Sequence, residues 1–247
     1  MSVSHAIPVN KLRDSAPDVG RKLAGEIGRS GDDAVVTLLR FLSAEGENHV
    51  VRNHAFDALR TLGSAGLGPV LAHLKAFDEY ENPTRVYIAK GLVRLVGEID
   101  DERVRPALLE LMRRLITLQD EGAAGRAWHF MQQIKMEIHA VLASLNCRDM
   151  IDDLLGILGS GEEMVFPVVI QSVGAIGDRR ALMPLIRLHA LEGEETWLAT
   201  EIRKAFRKIV RREKIDHSDL RALAGLTAEQ QASLRNLLGA RRRNGRK

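Results

Sequence analysis

Acidic residues recur in adjacent groups along this 247-residue chain: Asp100-Asp101-Glu102, Asp120-Glu121, Asp152-Asp153, Glu162-Glu163 and Glu194-Glu195. Two carboxylates turned into one site can divide acid and base work, because each raises the proton affinity of the other. Nearly every group here falls at a turn or in a first helical turn instead, where negative charge meets the positive end of the helix dipole. They read as solvated capping acids, which stacked repeats would align into a negative margin suited to a basic partner. The eight histidines are scattered, and His49 and His54 lie five apart, on different faces of a helix and without a third ligand, which argues against a metal site. Cys147 is the only cysteine; at a helix start it reads as a small buried residue rather than a nucleophile. The glycine-rich "GSAGLGP" lacks the preceding strand and the lysine of a phosphate loop, and reads as a turn between helices. With no H-E-x-x-H, C-x-x-C, nucleophile elbow or Walker loop, the sequence predicts no catalytic residue, no metal and no cofactor.

Binding chemistry is better represented. In "EIRKAFRKIVRREK", Arg203, Lys204, Arg207, Lys208, Arg211 and Arg212 cover about half of a helix circumference, opposite an apolar stripe of Leu198, Ile202, Ala205, Phe206 and Ile209. Trp197 lies outside that stripe, in the row of Lys204 and Lys208. From residue 203 onward the chain carries 14 Lys and Arg against 4 Asp and Glu, while the first 202 residues carry 22 against 29. A net charge of +3 therefore conceals an acidic body with a basic end. Cations held on an ordered helix beside a tryptophan suit phosphates or an acidic protein, and their mutual repulsion is relieved when something anionic sits there. A second candidate is the long helix predicted over 122–145, whose core face runs through Ala127, Met131, Ile134, Ile138, Val141, Leu142 and Leu145. Trp128, Gln132, Lys135 and His139 form a row about a quarter turn outside it, which reads either as a ligand platform or as packing of Trp128 against the next repeat.

These residues must be positioned by helices. Hydrophobic residues make up 45% of the chain and charged residues 28%, enough to fold around a large core, while aromatics are only 4%, against a sheet. The stretches "LVGEIDDERVRPALLELM" and "SVGAIGDRRALMPLIRLHA" align as copies: Val96-Gly97 with Val173-Gly174, Ile99 with Ile176, Asp101 with Asp178, Arg103 with Arg180, Leu108-Leu109 with Leu185-Ile186. "LRTLGSAGLGPVLAHL" is a third, with Pro69 in the role of Pro106 and Pro184. Those prolines are 37 and 78 residues apart, so a further unit is expected near residue 145, at "LNCRDMIDDLLGIL". Steps of the same size reach "GDDAVVTLLRFL" and "HSDLRALAGL", and a period of this length marks a solenoid. Each unit reads as helix, turn, helix: glycine ends the first helix as a left-handed cap or Asp caps the second, and proline follows in its first turn.

The pattern "AIGDRRALMPLIRL", with its echoes at Gly63 and Pro69 and at Gly97 and Pro106, resembles bacterial HEAT repeats of the kind also found in phycobilisome lyases. The resemblance runs over roughly residues 16–225 and implies a right-handed α-α superhelix of about six helical hairpins, used to hold other macromolecules. The expected organisation is a disordered N-terminus (1–14), one all-α solenoid (15–240) with a basic C-terminal repeat and a capping helix from Thr227, and a disordered basic tail (241–247). The first fourteen residues lack the basic and apolar regions of a secretory signal, and the longest apolar run, "MVFPVVI", is far short of a membrane span, so a cytoplasmic location is expected. Three functions follow: a non-catalytic scaffold or adaptor for a protein partner; a nucleic-acid-binding solenoid, including the HEAT-like glycosylases of alkylated purines, whose motif no stretch here matches; and, by analogy of fold alone, a chromophore lyase.

Overall fold

The computed structural model describes residues 32–43, 49–122, 125–159, 165–192, 196–221 and 226–238. Among these, every regular element is a helix: α1 (Asp32–Leu42), α2 (His49–Leu62), α3 (Leu67–Ala76), α4 (Pro83–Gly97), α5 (Val104–Asp120), α6 (Gly125–Ser144), α7 (Ile151–Gly159), α8 (Pro167–Ile176), α9 (Leu182–Glu192), α10 (Trp197–Arg212), α11 (His217–Arg221) and α12 (Ala228–Leu237). Short 3₁₀ turns, Gly63–Gly66, Arg148–Met150 and Arg179–Ala181, lead into α3, α7 and α9. No described helix is long and apolar enough to cross a membrane. The termini expected to be disordered, 1–14 and 241–247, lie outside the described residues.

Local chemistry sets the helix starts. Pro69, Pro106 and Pro184 each occupy the third position of α3, α5 and α9, where a missing N–H costs no intrahelical bond. Asn82 caps α4 by accepting from the N–H groups of Thr84 and Arg85 at 3.0 and 3.2 Å, with Pro83 at the first position. Thr196 accepts from Ala199 N–H at 3.0 Å to start α10. Thr227 and Gln230 form a reciprocal capping box at the start of α12, the terminal helix expected from Thr227.

The chain forms two compact units, 1–141 and 142–247. In the first, α1 packs on α2 and α3, α2 on α4, and α3 and α4 on α5. In the second, α7 packs on α8 and α9, α8 on α10, and α9 and α10 on α12. The two schemes are the same: α1 meets α2 and α3 meets α4, as α7 meets α8 and α9 meets α10, and each helix also meets the like helix after it, with α12 in the place that α5 holds in the first unit. The short α11 is an insertion before that last helix. Val173, Ile176, Leu185 and Ile186 are all fully buried, as their spacing predicts.

The aligned turns share a polar clamp. Asp101 accepts from the backbone N–H of Arg103 at 2.9 Å and pairs with its guanidinium at 2.7 Å. Asp178 does the same with Arg180, at 2.9 and 3.0 Å. Each arginine also reaches the preceding hairpin: Arg103 donates to the Ser64 carbonyl in the turn before α3 at 3.4 Å, and Arg180 to Asp152 in the first turn of α7 at 2.6 Å. The Arg103 side chain, followed by its backbone N–H, holds the Asp101 carboxyl down to about 2. The Arg180 side chain likewise lowers that of Asp178. The stabilisation from these carboxylates is present above the ordinary carboxylate range and is lost as acid protonates them.

The glycines of these turns act differently from the expectation. Gly63, at φ +54°, does take the left-handed conformation. Gly177, which ends α8 at φ −59°, does not, and neither do Gly97 and Gly174, whose role is close approach. A Cβ on Gly174 would lie 2.9 Å from the Cα of Ala205 on α10, and one on Gly97 would run into Val141 on α6. Gly156, on α7, has open space around its Cα. The same substitution should therefore have opposite signs at two helical glycines. Gly174→Ala must push α8 from α10 and should lower stability by about 1–2 kcal/mol, whereas Gly156→Ala should raise it by about 0.5–1 kcal/mol through helix propensity, both read from urea unfolding midpoints.

Candidate binding surfaces

Helix α10 carries the strongest charge asymmetry among the described residues. Ala199, Ile202, Ala205, Phe206 and Ile209 are buried against α8, α9 and α12, which fixes the helix in rotation. Lys204, Arg207, Lys208 and Arg211 are exposed on its other side, with Arg203 half-buried at the edge. Trp197, the first residue of α10, is 60% exposed, and Leu191 at the end of α9 is 82% exposed.

The cations of this face differ in what they touch. Lys204 pairs at 2.7 Å with Glu201, whose carboxylate is buried at the foot of the face and also accepts from Gln171 of α8 at 3.1 Å. Those two hydrogen bonds, that of Lys204 first, keep the Glu201 carboxyl below its usual range. Arg207 donates through Nε to the Leu237 carbonyl at 3.0 Å, capping the end of α12. Arg212 donates to the carbonyls of Gly174, Ala175 and Gly177, capping the end of α8. That leaves the side chains of Arg203, Lys208 and Arg211 with no hydrogen bond or ion pair among the described residues. Glu201 is the residue that sequence reasoning passed over: it lies between Trp197 and the two lysines at helical spacing, four residues after the tryptophan and three before Lys204.

The second predicted row is covered in part. Lys135 and His139 are buried, at 5% and 1% exposure, and Trp128 and Gln132 are half-buried. Gln119 of α5 accepts through its side-chain oxygen from Lys135 Nζ at 3.1 Å and from Gln132 at 3.2 Å. That acceptor ties two members of the polar row of α6 to α5.

The structure adds a feature that the sequence reading lacks. Between α3 and α5, within the first unit, runs a trough of about 510 Å³ floored by Leu71, Leu74, Ala107, Leu108 and Leu111. Lys75, Arg103 and Arg114 stand at its rim. Arg114 donates to the carbonyls of Lys75 and Phe77 and, at 2.9 Å, to the Tyr80 hydroxyl. The available signal was the small side chains Ala72 and Ala107, which leave room where larger apolar residues would close two packed helices together.

The division of labour on α10 is measurable. Arg207→Ala orphans the carbonyl end of α12 and should cost about 1 kcal/mol of stability, while Arg211→Ala should change it by less than about 0.5 kcal/mol, both by thermal or denaturant unfolding. Comparisons of the chain with protein-family models, with characterised proteins and with solved structures find no match.

Proposed function

We propose that this chain is a non-catalytic repeat adaptor of the HEAT type, a right-handed superhelix of about six hairpins that works in the cytoplasm. It binds a protein partner through its repeat surface and through the basic face of α10. Packing of like helices on one another within each unit supports the repeat reading, as does the Asp-Arg clamp shared by two turns. The observation that carries the binding reading is the trio Arg203, Lys208 and Arg211: no hydrogen bond or ion pair engages its side chains among the described residues, and it stands on a helix whose apolar stripe is buried. Charges ordered in advance bind a complementary surface without the entropy cost of arranging themselves. An acidic face of a protein partner meets that description, with Trp197 offering an exposed aromatic anchor beside it.

The same trio favours a second reading, contact with nucleic-acid phosphates, and salt separates the two. Each phosphate contact on duplex DNA contributes about 0.9 to the slope of log affinity against log salt. The triple variant Arg203→Glu/Lys208→Glu/Arg211→Glu leaves Glu201, the Arg207 cap and the Arg212 cap in place, so it should keep the melting temperature within a few degrees. It should also lose the stoichiometric partner recovered by native affinity purification with the wild-type chain. Retention of that partner by a folded triple variant would remove α10 from the interface, and binding to DNA with a slope of about 3 would replace the protein partner with nucleic acid.

A further inference from the structure

We infer that the trough between α3 and α5 is a binding site for a small anionic amphiphile, a single apolar chain or ring system ending in one carboxylate, sulfonate or phosphate. This rests on the first unit alone and is independent of the proposal for α10. The volume, about 510 Å³, falls within the several hundred cubic ångströms typical of small-molecule sites. Its floor is apolar and continuous across both helices, and the lining residues of α5 span Arg103 to Arg114, about 16 Å at the helical rise. An apolar body of that length removes the exposed parts of Leu71, Pro106 and Ala107 from water.

Charge at the rim selects the sign and the orientation. At one end Arg103 is already neutralised by Asp101, at 2.7 Å. Glu110, the one carboxylate among the lining residues, is engaged by Arg113 at 2.6 Å. At the other end Arg114 spends its donors on neutral groups, two carbonyls and a phenol, and forms no ion pair with a carboxylate among the described residues, the nearest influence being Asp78 acting on the same phenol. Lys75 lies at that same end, exposed and without an ion pair among the described residues. The carbonyl end of α3, which Arg114 caps, offsets only about half a charge. Two cations, neither ion-paired among the described residues, outweigh that fraction and the single nearby Asp78, which leaves the positive pole at the Lys75 end of an apolar trough. An amphiphile with its head at Lys75 and its tail toward Pro106 satisfies both.

Isothermal titration of the full chain with dodecanoate, below its micelle concentration, tests this against dodecylamine and dodecanol at equal chain length. One saturable site for dodecanoate is expected, with dodecylamine not binding and dodecanol binding about tenfold more weakly. Two variants locate it. Ala107→Phe fills the trough, and Lys75→Glu sets a carboxylate of the protein's own beside Arg114, in the place of the head group. Each should weaken dodecanoate about tenfold or more while circular dichroism and melting temperature stay at the wild-type values. Absence of a saturable site, equal binding of the amine, or full binding by either folded variant overturns the assignment. If Ala107→Phe fails to fold, the exposed Lys75→Glu variant decides alone.

Discussion

Among the described residues, α1 to α5 and α7 to α10 each pack against more than one neighbour, because a single neighbour covers an apolar stripe only in part. Removal of the rest from water, by the like helix that follows, is the interaction on which the structure depends. Apolar burial is worth roughly 25 cal/mol per Å², and a lone helix pair would leave half of each stripe wet. The chain answers by repetition: α1, α3 and α5 lie in one series, α7, α9 and α12 in another, and α8 meets α10 closely enough that only glycine fits at position 174. Because the stripe of α10 is consumed in this way, its remaining circumference must face water, and the cations on it are held in place by Phe206, Ile202 and Ile209 rather than by one another.

Arginine serves the scaffold as much as it serves any interface. Arg114, Arg207 and Arg212 each place a guanidinium on the carbonyls that end a helix, at α3, α12 and α8 respectively. Arg103 and Arg180 tie each turn to the preceding hairpin. Surface ion pairs such as Arg60 with Glu98 and Arg94 with Glu137, both at 2.6 Å, join successive first helices but contribute at most about 1 kcal/mol apiece. The count of basic residues in a segment therefore overstates the charge offered to a partner, and the informative cations are those that the scaffold leaves unused.

What was legible in the sequence was what depends on period. The fully buried Val173, Ile176, Leu185 and Ile186 follow from helical spacing, the Asp-Arg clamps from two aligned turns, and the start of α12 from Thr227 and Gln230, three residues apart. What was not legible depends on contacts across tens of residues. Gly174 and its contact Ala205 are 31 positions apart, so a close approach looks like a helix cap in the sequence. Lys135 and Gln119 are 16 apart, and without that pairing the row of α6 reads as exposed. The role of Arg207 depends on Leu237, 30 residues on, and the trough between α3 and α5 on the absence of bulk at Ala72 and Ala107, which leaves no mark in periodicity.

The central claim is that the cations of α10 are ordered by the core beneath them, and native-state hydrogen exchange measures this directly. The account predicts that amides of α10 from Thr200 to Val210, including those of Arg203, Lys208 and Arg211, are protected to the same free energy as those of α8 and open with them in one cooperative step. Exchange of α10 near the rate of an unstructured peptide, while α8 stays protected, would contradict it.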